Sequence, residues 1–436
     1  MTNQKVSSSF SDWAAAARVL EVWRERGLSE AKSILSDEIT ANSGGLLLQE
    51  LHLRVHREPG PRLLIDGCWL SRPYGGVTRV WQQILSTWQL PGLIYAGAPV
   101  AMINRNNNLT FASSFSSLRG KEVDPLNTRA VSALSEENNS LVKKWNADVF
   151  CSSWISNSGF YRPACPELAL VHDCLPERIR PDQPELMALR RRWWQLAATH
   201  LAVSSATAED LAHLLQKPDL QLSWCHLAPA EAFHQNIDSP DLQSLWCRLQ
   251  REAGLPDEFF LLPATSAIGS YKNPELLAQA LADPDLLSLP LLLCGIAAER
   301  RAQELEMHFP HLRGRVLAAG FSDPELALAY RHALAVVIPS RIEGFGLPAI
   351  EVMAAGGLCL VADARGLREA GAEAALRFSP RQPEQLRDLL KLVADPLTRA
   401  WLQSQAQTRI SSRLARLNPD LIGLALLAQA RRAVVL

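Results

Sequence analysis

A surplus of either charge is the first thing missing from this chain. Across 436 residues, 44 lysines and arginines face 45 aspartates and glutamates, for a formal net charge of −1. Without bulk attraction for polyanions, nucleic-acid binding is disfavoured, and no bias towards acidic partners is present. No uninterrupted apolar run approaches the roughly 18 residues of a membrane span, and the opening MTNQKVSSSFSDW is polar where a secretory leader would be apolar. Eight cysteines (Cys68, Cys151, Cys165, Cys174, Cys225, Cys247, Cys294 and Cys359) include no C-x-x-C pair, so neither a zinc site nor a disulfide framework is indicated. A reducing, cytoplasmic setting is expected. Internal repeats and low-complexity tracts are absent, and no G-x-G-x-x-G follows the first strand, which argues against a nicotinamide dehydrogenase.

What is present is an ordinary globular composition, 47% hydrophobic and 20% charged, long enough for two or three domains. The most informative stretch is VVIPSRIEGFGLPAIEVMAAGGLCLVAD, from Val336 to Asp363. Val336 to Ile338 and Leu358 to Ala362 read as buried strands with room between them only for a loop and a short helix, a βαβ unit. Gly344 and Gly346 flank Phe345 in the loop, Pro348 suits a first helical turn, and Gly356-Gly357 stops the helix. Such a loop aims backbone N–H groups and a helix N-terminus at the crevice beyond the strand, where a phosphate or sugar hydroxyl can sit.

Glu343-Gly-Phe-Gly-Leu-Pro-Ala-Ile-Glu351 resembles the E-x7-E motif of retaining glycosyltransferases of family 4, which have the GT-B fold. The resemblance extends over roughly residues 62 to 410, most densely from 259 to 376. Phe259 to Pro263 is expected as a strand leading to Tyr271-Lys272-Asn273, which is similar to the family's R-K-N segment with tyrosine in place of arginine; Ser266 stands where glycine is usual. Leu367-Arg-Glu369-Ala-Gly-Ala372 resembles L-P-E-x-x-G, with Arg368 and Ala372 as departures. Further strands are expected at Leu289 to Gly295 and Val316 to Phe321.

In the first half, Arg62 to Cys68 reads as a buried strand. After a turn at Pro73 to Gly76, Val77, Val80, Trp81, Ile84, Leu85 and Trp88 mark one helical face. Gly75 and Gly76, at that strand-to-helix junction, resemble the family's glycine-rich loop. Strands are expected at Asp148 to Ser152, at Glu167 to Asp173 and from Ala197 to Ser204. His172-Asp173, followed by Leu175-Pro176, looks like the family's H-D-x-x-P segment, whose histidine meets the donor sugar. Arg190, Arg191, Arg192, Trp193 and Trp194 form a basic and aromatic cluster, read either as a solvated face over core tryptophans or as a peripheral contact with an anionic membrane at its inner face.

The expected architecture is α/β, with two Rossmann-like, doubly wound domains facing a central cleft. The expected divisions are a helical extension at 1–60, an acceptor-side domain at 61–240, a nucleotide-sugar domain at 241–415, and a helix at 416–436 crossing back to the first domain. The resemblance implies a hexosyltransferase-type enzyme of glycan or polysaccharide assembly, moving a sugar with retention from a nucleotide-sugar donor to a glycan or lipid-linked acceptor hydroxyl. It implies Glu343, Lys272 and His172 as catalytic residues. Glu351, Gly344, Phe345, Gly346, Leu347, Lys272, Gly75 and Gly76 are implied as nucleotide-sugar contacts, with no metal or other cofactor. Alternatives are a nucleotide-sugar-binding protein without catalysis and a sugar-nucleotide epimerase of the same fold.

Overall fold

The computed structural model describes residues 10–41, 45–56, 60–72, 75–86, 92–96, 109–113, 127–179, 183–217, 220, 222–234, 239–263 and 266–436. Residues 1–9, Pro73 and Tyr74 of the expected turn, Trp88 and positions 235–238 of the expected linker lie outside the described residues. The chain divides into two units, Met1–Leu227 with Asn418–Leu436, and Ala228–Leu417.

The first unit carries strands β1 (Leu63–Ile65), β2 (Gly92–Ala96), β3 (Leu109–Ser113), β4 (Val149–Cys151), β5 (Glu167–Val171), β6 (Thr199–Ala202) and β7 (Ser223–Trp224). The second carries β8 (Phe260–Leu262), β9 (Leu291–Cys294), β10 (Val316–Ala319), β11 (Ala335–Ile338), β12 (Cys359–Ala362) and β13 (Leu376–Phe378). Their spatial orders are β3-β2-β1-β4-β5-β6-β7 and β10-β9-β8-β11-β12-β13, with every pairing parallel. Both follow the Rossmann order, which reverses between the first and fourth strands of each sheet. Ligands of doubly wound sheets bind beyond the strands' carboxyl ends at that reversal.

Burial explains why the central strands were readable. Leu63, Leu64, Ile65, Phe260, Leu261, Val336, Val337, Leu360 and Val361 are all 0% exposed, as expected where helices cover both faces of a parallel sheet. Each such side chain contributes about 1.5–3 kcal/mol over its exposed state. The sequence reading did not anticipate β2, β3, β7 or β13. β7 and β13 have only two and three residues, and β13 follows no buried pattern: Leu376 is half-buried, Arg377 exposed and Phe378 buried.

The observed division falls at 227/228, ahead of the expected 240/241, and residues 10–56 form part of the first unit rather than a separate extension. Three helices (Phe10–Arg26, Leu28–Ala41 and Leu46–Val55) join the last helix, Asp420–Val435. Asp12, 1% exposed, accepts hydrogen bonds from Leu47 N (3.0 Å) and Leu48 N (3.2 Å), capping the third helix; Arg431 Nε donates to Glu50 Oε2 at 2.7 Å, and Arg24 pairs with Asp420. The two ends of the chain are thereby fastened to one another.

Candidate nucleotide-sugar site

In the second unit the loops after β8 and β11 border the reversal of the sheet, and they carry Lys272 and Glu343. Lys272 Nζ donates to Glu343 Oε1 at 2.7 Å, with the two side chains 23% and 12% exposed. Burial alone would push the Lys272 ammonium towards neutrality. The Glu343 carboxylate and then Tyr271 outweigh it and hold its pKa above the ordinary value. The ammonium also lies 5.2 Å from the centroid of the Tyr271 ring.

Asn273 joins the two loops. It is 1% exposed in a left-handed conformation (φ 57°), and its Nδ2 donates to Pro339 O at 3.1 Å and Pro380 O at 3.0 Å. Arg341 Nη2 donates to Asn273 Oδ1 (2.8 Å) and Glu275 Oε1 (2.9 Å), while Arg341 N donates to Tyr271 O at 2.8 Å. Lys272 thus stands on a backbone pinned from both sides. A cleft of about 10 Å³ between the loops, lined by Ser266, Lys272, Ser340 and Pro348 among others, has room for about one water.

The glutamate loop is held from behind by the segment after β12. Gly366 (φ 79°) approaches so closely that a Cβ there would lie 2.3 Å from Glu343 O, and Glu343 N donates to Arg365 O at 3.3 Å. Gly346 (φ 115°) opens the helix Leu347–Ala354, and a Cβ there would meet Leu367 Cδ2 at 2.7 Å. The amides of Gly344 to Leu347 therefore precede an eight-residue helix with Pro348 in its first turn, an anion-favouring terminus. Leu347 is half-buried at the helix start, and Glu351 lies one turn on at 2% exposure. Phe345, between the two glycines, is 3% exposed.

The first unit places Gly75 and Gly76 exposed at the start of the helix Gly76–Ser86, Gly75 with φ 120° and nothing within 4 Å of a would-be Cβ. At its sheet reversal lies a residue the sequence reading did not single out. Asp66, 0% exposed, accepts on Oδ1 from Ser153 N (2.8 Å), Ser153 Oγ (2.8 Å) and Cys68 N (3.2 Å), and on Oδ2 from Ser152 Oγ (2.9 Å) and Ser156 Oγ. It ties the end of β1 to the end of β4.

His172 follows β5. Neither of its ring nitrogens is exposed or has a hydrogen-bond partner among the described residues. Burial, and then the Arg190 charge, depress its pKa to about 3, so the imidazole is neutral at pH 7. Leaving a buried donor unmade costs roughly 1–3 kcal/mol.

The basic and aromatic cluster divides between core and surface. Arg190, Trp193 and Trp194 are each 2% exposed; of the five only Arg191 is exposed, with Arg192 half-buried. Arg190 Nε donates to Glu177 Oε1 at 2.6 Å and its Nη2 to Asp173 O at 2.7 Å, while its guanidinium lies 5.0 Å from the Trp194 ring. A guanidinium spent on carboxylate, carbonyl and ring has nothing left for a lipid surface.

Residues 248–409 match the family described as Glycosyl transferases group 1. Two curated relatives are D-inositol 3-phosphate glycosyltransferases. That of Corynebacterium glutamicum is 32% identical over 28% of this chain and 32% of its own length, and that of Catenulispora acidiphila 28% identical over 39% and 44%. The chain thus spans under half the length of the curated relatives it matches. Among solved structures, Anabaena HepE in complex with UDP and glucose has a TM-score of 0.60 at 19% identity, covering 83% of this chain and 98% of its own. WaaG, a glycosyltransferase involved in lipopolysaccharide biosynthesis, has a TM-score of 0.61 at 14% identity with the same coverage. The chain has the GT-B fold, and residues 248–409, within its second unit, are similar to the glycosyl transferases group 1 family.

Proposed function

We propose that the protein is a retaining glycosyltransferase of the family 4 type, taking a sugar from a nucleotide-sugar donor to a hydroxyl of a glycan or lipid-linked acceptor in the cytoplasm. The observation that carries this reading is the Lys272–Glu343 pair at the reversal of the second sheet, beside the amides that open the helix Leu347–Ala354. In this reading the bond from the anomeric carbon to the diphosphate oxygen breaks. The acceptor oxygen bonds to the same face of that carbon, and its proton passes to the departing phosphate. Negative charge then grows on the diphosphate, where Lys272 and the helix terminus stabilise it; a preorganised donor of this kind is worth about 10²–10³ in rate. Glu343 accepts from hydroxyls of the transferred sugar, and Glu351 from those of the ribose. His172 is assigned to the donor sugar by the resemblance of His172-Asp173 and Leu175-Pro176 to the family's H-D-x-x-P segment.

The sugar-nucleotide ligands named for HepE make UDP-sugars the first donors to try. A thermal-shift screen of UDP-, GDP- and ADP-sugars identifies the donor, since a ligand at about 100 times its Kd adds about 2.7 kcal/mol. Turnover is then followed in EDTA, with NMR on the product. Turnover persisting in chelator with the donor's anomeric configuration kept is expected. Loss of turnover in EDTA restored by Mg²⁺ would refute charge stabilisation by lysine and helix alone, and inversion would refute the family 4 assignment.

A further inference from the structure

The chain leaving β5 is held on both sides of His172. On the strand side Val171 O accepts from Val203 N at 3.2 Å, where the ladder between β5 and β6 ends. On the far side Asp173 O accepts from Arg190 Nη2 at 2.7 Å, and Asp173 Oδ1 accepts from Leu175 N at 3.1 Å, turning the chain into the short helix Leu175–Ile179. Arg190 reaches this turn from the helix Pro184–Leu196, 17 positions along the chain. Its guanidinium is fixed in direction by Glu177, whose Oε1 accepts from Nε at 2.6 Å. It also lies 5.0 Å from the Trp194 ring and 5.8 Å from that of Trp154, on the loop that follows β4.

Stability alone does not account for a charge in this place. Only 3% of the Arg190 side chain is exposed, and a buried guanidinium loses hydration that its partners must offset. An apolar side chain of similar volume is often as stable. What an apolar side chain does not do is hold a carbonyl one residue beyond His172 while a carboxylate and two rings fix the angle of approach. Lysine does not do so either, because its ammonium is a point charge on a flexible stem without the planar fork. The Arg190 charge also reaches the imidazole itself, second to burial in depressing its pKa.

We infer that Arg190 is a positioning residue for His172: by holding Asp173 O it sets the direction in which the imidazole leaves the end of β5. The inference rests on the proposed function, in which His172 meets the donor sugar, and gives Arg190 no contact with substrate. It is tested by a double-mutant cycle on the full chain. Arg190→Lys, His172→Ala and the pair are compared with wild type in turnover of UDP-, GDP- and ADP-sugars, with urea midpoints measured alongside. A displacement of about 1 Å at a reacting group can cost about 10²-fold in rate, so Arg190→Lys should lower kcat by about 10- to 10²-fold in the wild-type background. Once His172 is alanine the same substitution should lower it by less than about twofold, because the group it positions is gone. Glu177→Gln keeps the size of the side chain and an acceptor beside Nε, so it guards against a lysine variant that does not fold. It should show the same dependence on His172 with a fall of about threefold to tenfold. Falls in kcat that are equal with His172 present and absent would show that Arg190 serves the fold alone and overturn the inference, as would an unchanged kcat in both variants. Wild type that turns over none of the donors, or His172→Ala as active as wild type, would instead overturn the reading beneath it, and the inference with it.

Discussion

Asp66 and Glu343 each border the reversal of their own sheet, and the surroundings of the two carboxylates differ. Asp66 is 0% exposed and takes five donors from Cys68, Ser152, Ser153 and Ser156. Glu343 keeps 12% of its side chain exposed, and its Oε1 is paired with a lysine that is itself 23% exposed. The same topology thus makes a buried hydrogen-bonded knot in one unit and a partly exposed ion pair in the other. The physical difference is the local supply of neutral donors. Three serine hydroxyls satisfy Asp66, whereas Glu343 is matched by one partly exposed ammonium, which under the proposed function would be released to the donor's phosphate and hydroxyl groups.

The largest effect expected from this contrast is on stability. Asp66→Ala strands buried hydroxyl and amide donors at once and should cost more than about 3 kcal/mol in urea unfolding. Glu343→Gln breaks a partly solvated pair and should cost about 1 kcal/mol or less. Equal losses would end the comparison.

Next comes catalysis. Lys272→Ala should lower kcat by about 10²–10³, with a smaller change in KM, because the charge it meets is greatest in the transition state. Steady-state kinetics on the donor decide this, and an unchanged kcat would remove Lys272 from the reaction. Glu351→Gln should raise the Kd of the nucleoside diphosphate about tenfold, the value of one charge-assisted hydrogen bond, as read by calorimetry.

The remaining effect is a pH slope belonging to the first unit. The His172 pKa is about 3 when folded against an ordinary 6.5, so below pH 6.5 the unfolded chain binds the extra proton. The contribution of the neutral ring is complete above pH 6.5 and is lost progressively as pH falls towards 3. His172→Gln should flatten that part of the stability profile, and a slope identical to wild type would show that the ring titrates normally.

Much of this was legible in the chain because it depends on short-range rules. The apolar runs at Val336 to Ile338 and Leu358 to Ala362 mark β11 and β12, and the glycines and Pro348 between them mark a loop entering a helix. β13, three residues long with the exposed Arg377 at its centre, leaves no such trace. The helix Pro184–Leu196 shows why periodicity is an incomplete guide: Arg190 belongs by charge to the surface and by geometry to the core, and only Glu177 and Asp173, distant in sequence, explain its burial.

The sequence by itself determined the alternation of strands and helices, the glutamate loop with its helix, and the lysine at the start of its own helix, because hydrophobic period, glycine freedom and proline stiffness act within a few residues. The tertiary structure decided which groups pair: Lys272 with Glu343 across 71 positions, Asp66 with three serines some 86 to 90 positions on, Glu50 with Arg431 across 381. No local rule joins residues that far apart. The parallel sheets join the first two pairs, because each crossover returns the chain to the same end of the sheet and brings successive strand ends together, and the packing of the last helix on the third joins Glu50 to Arg431.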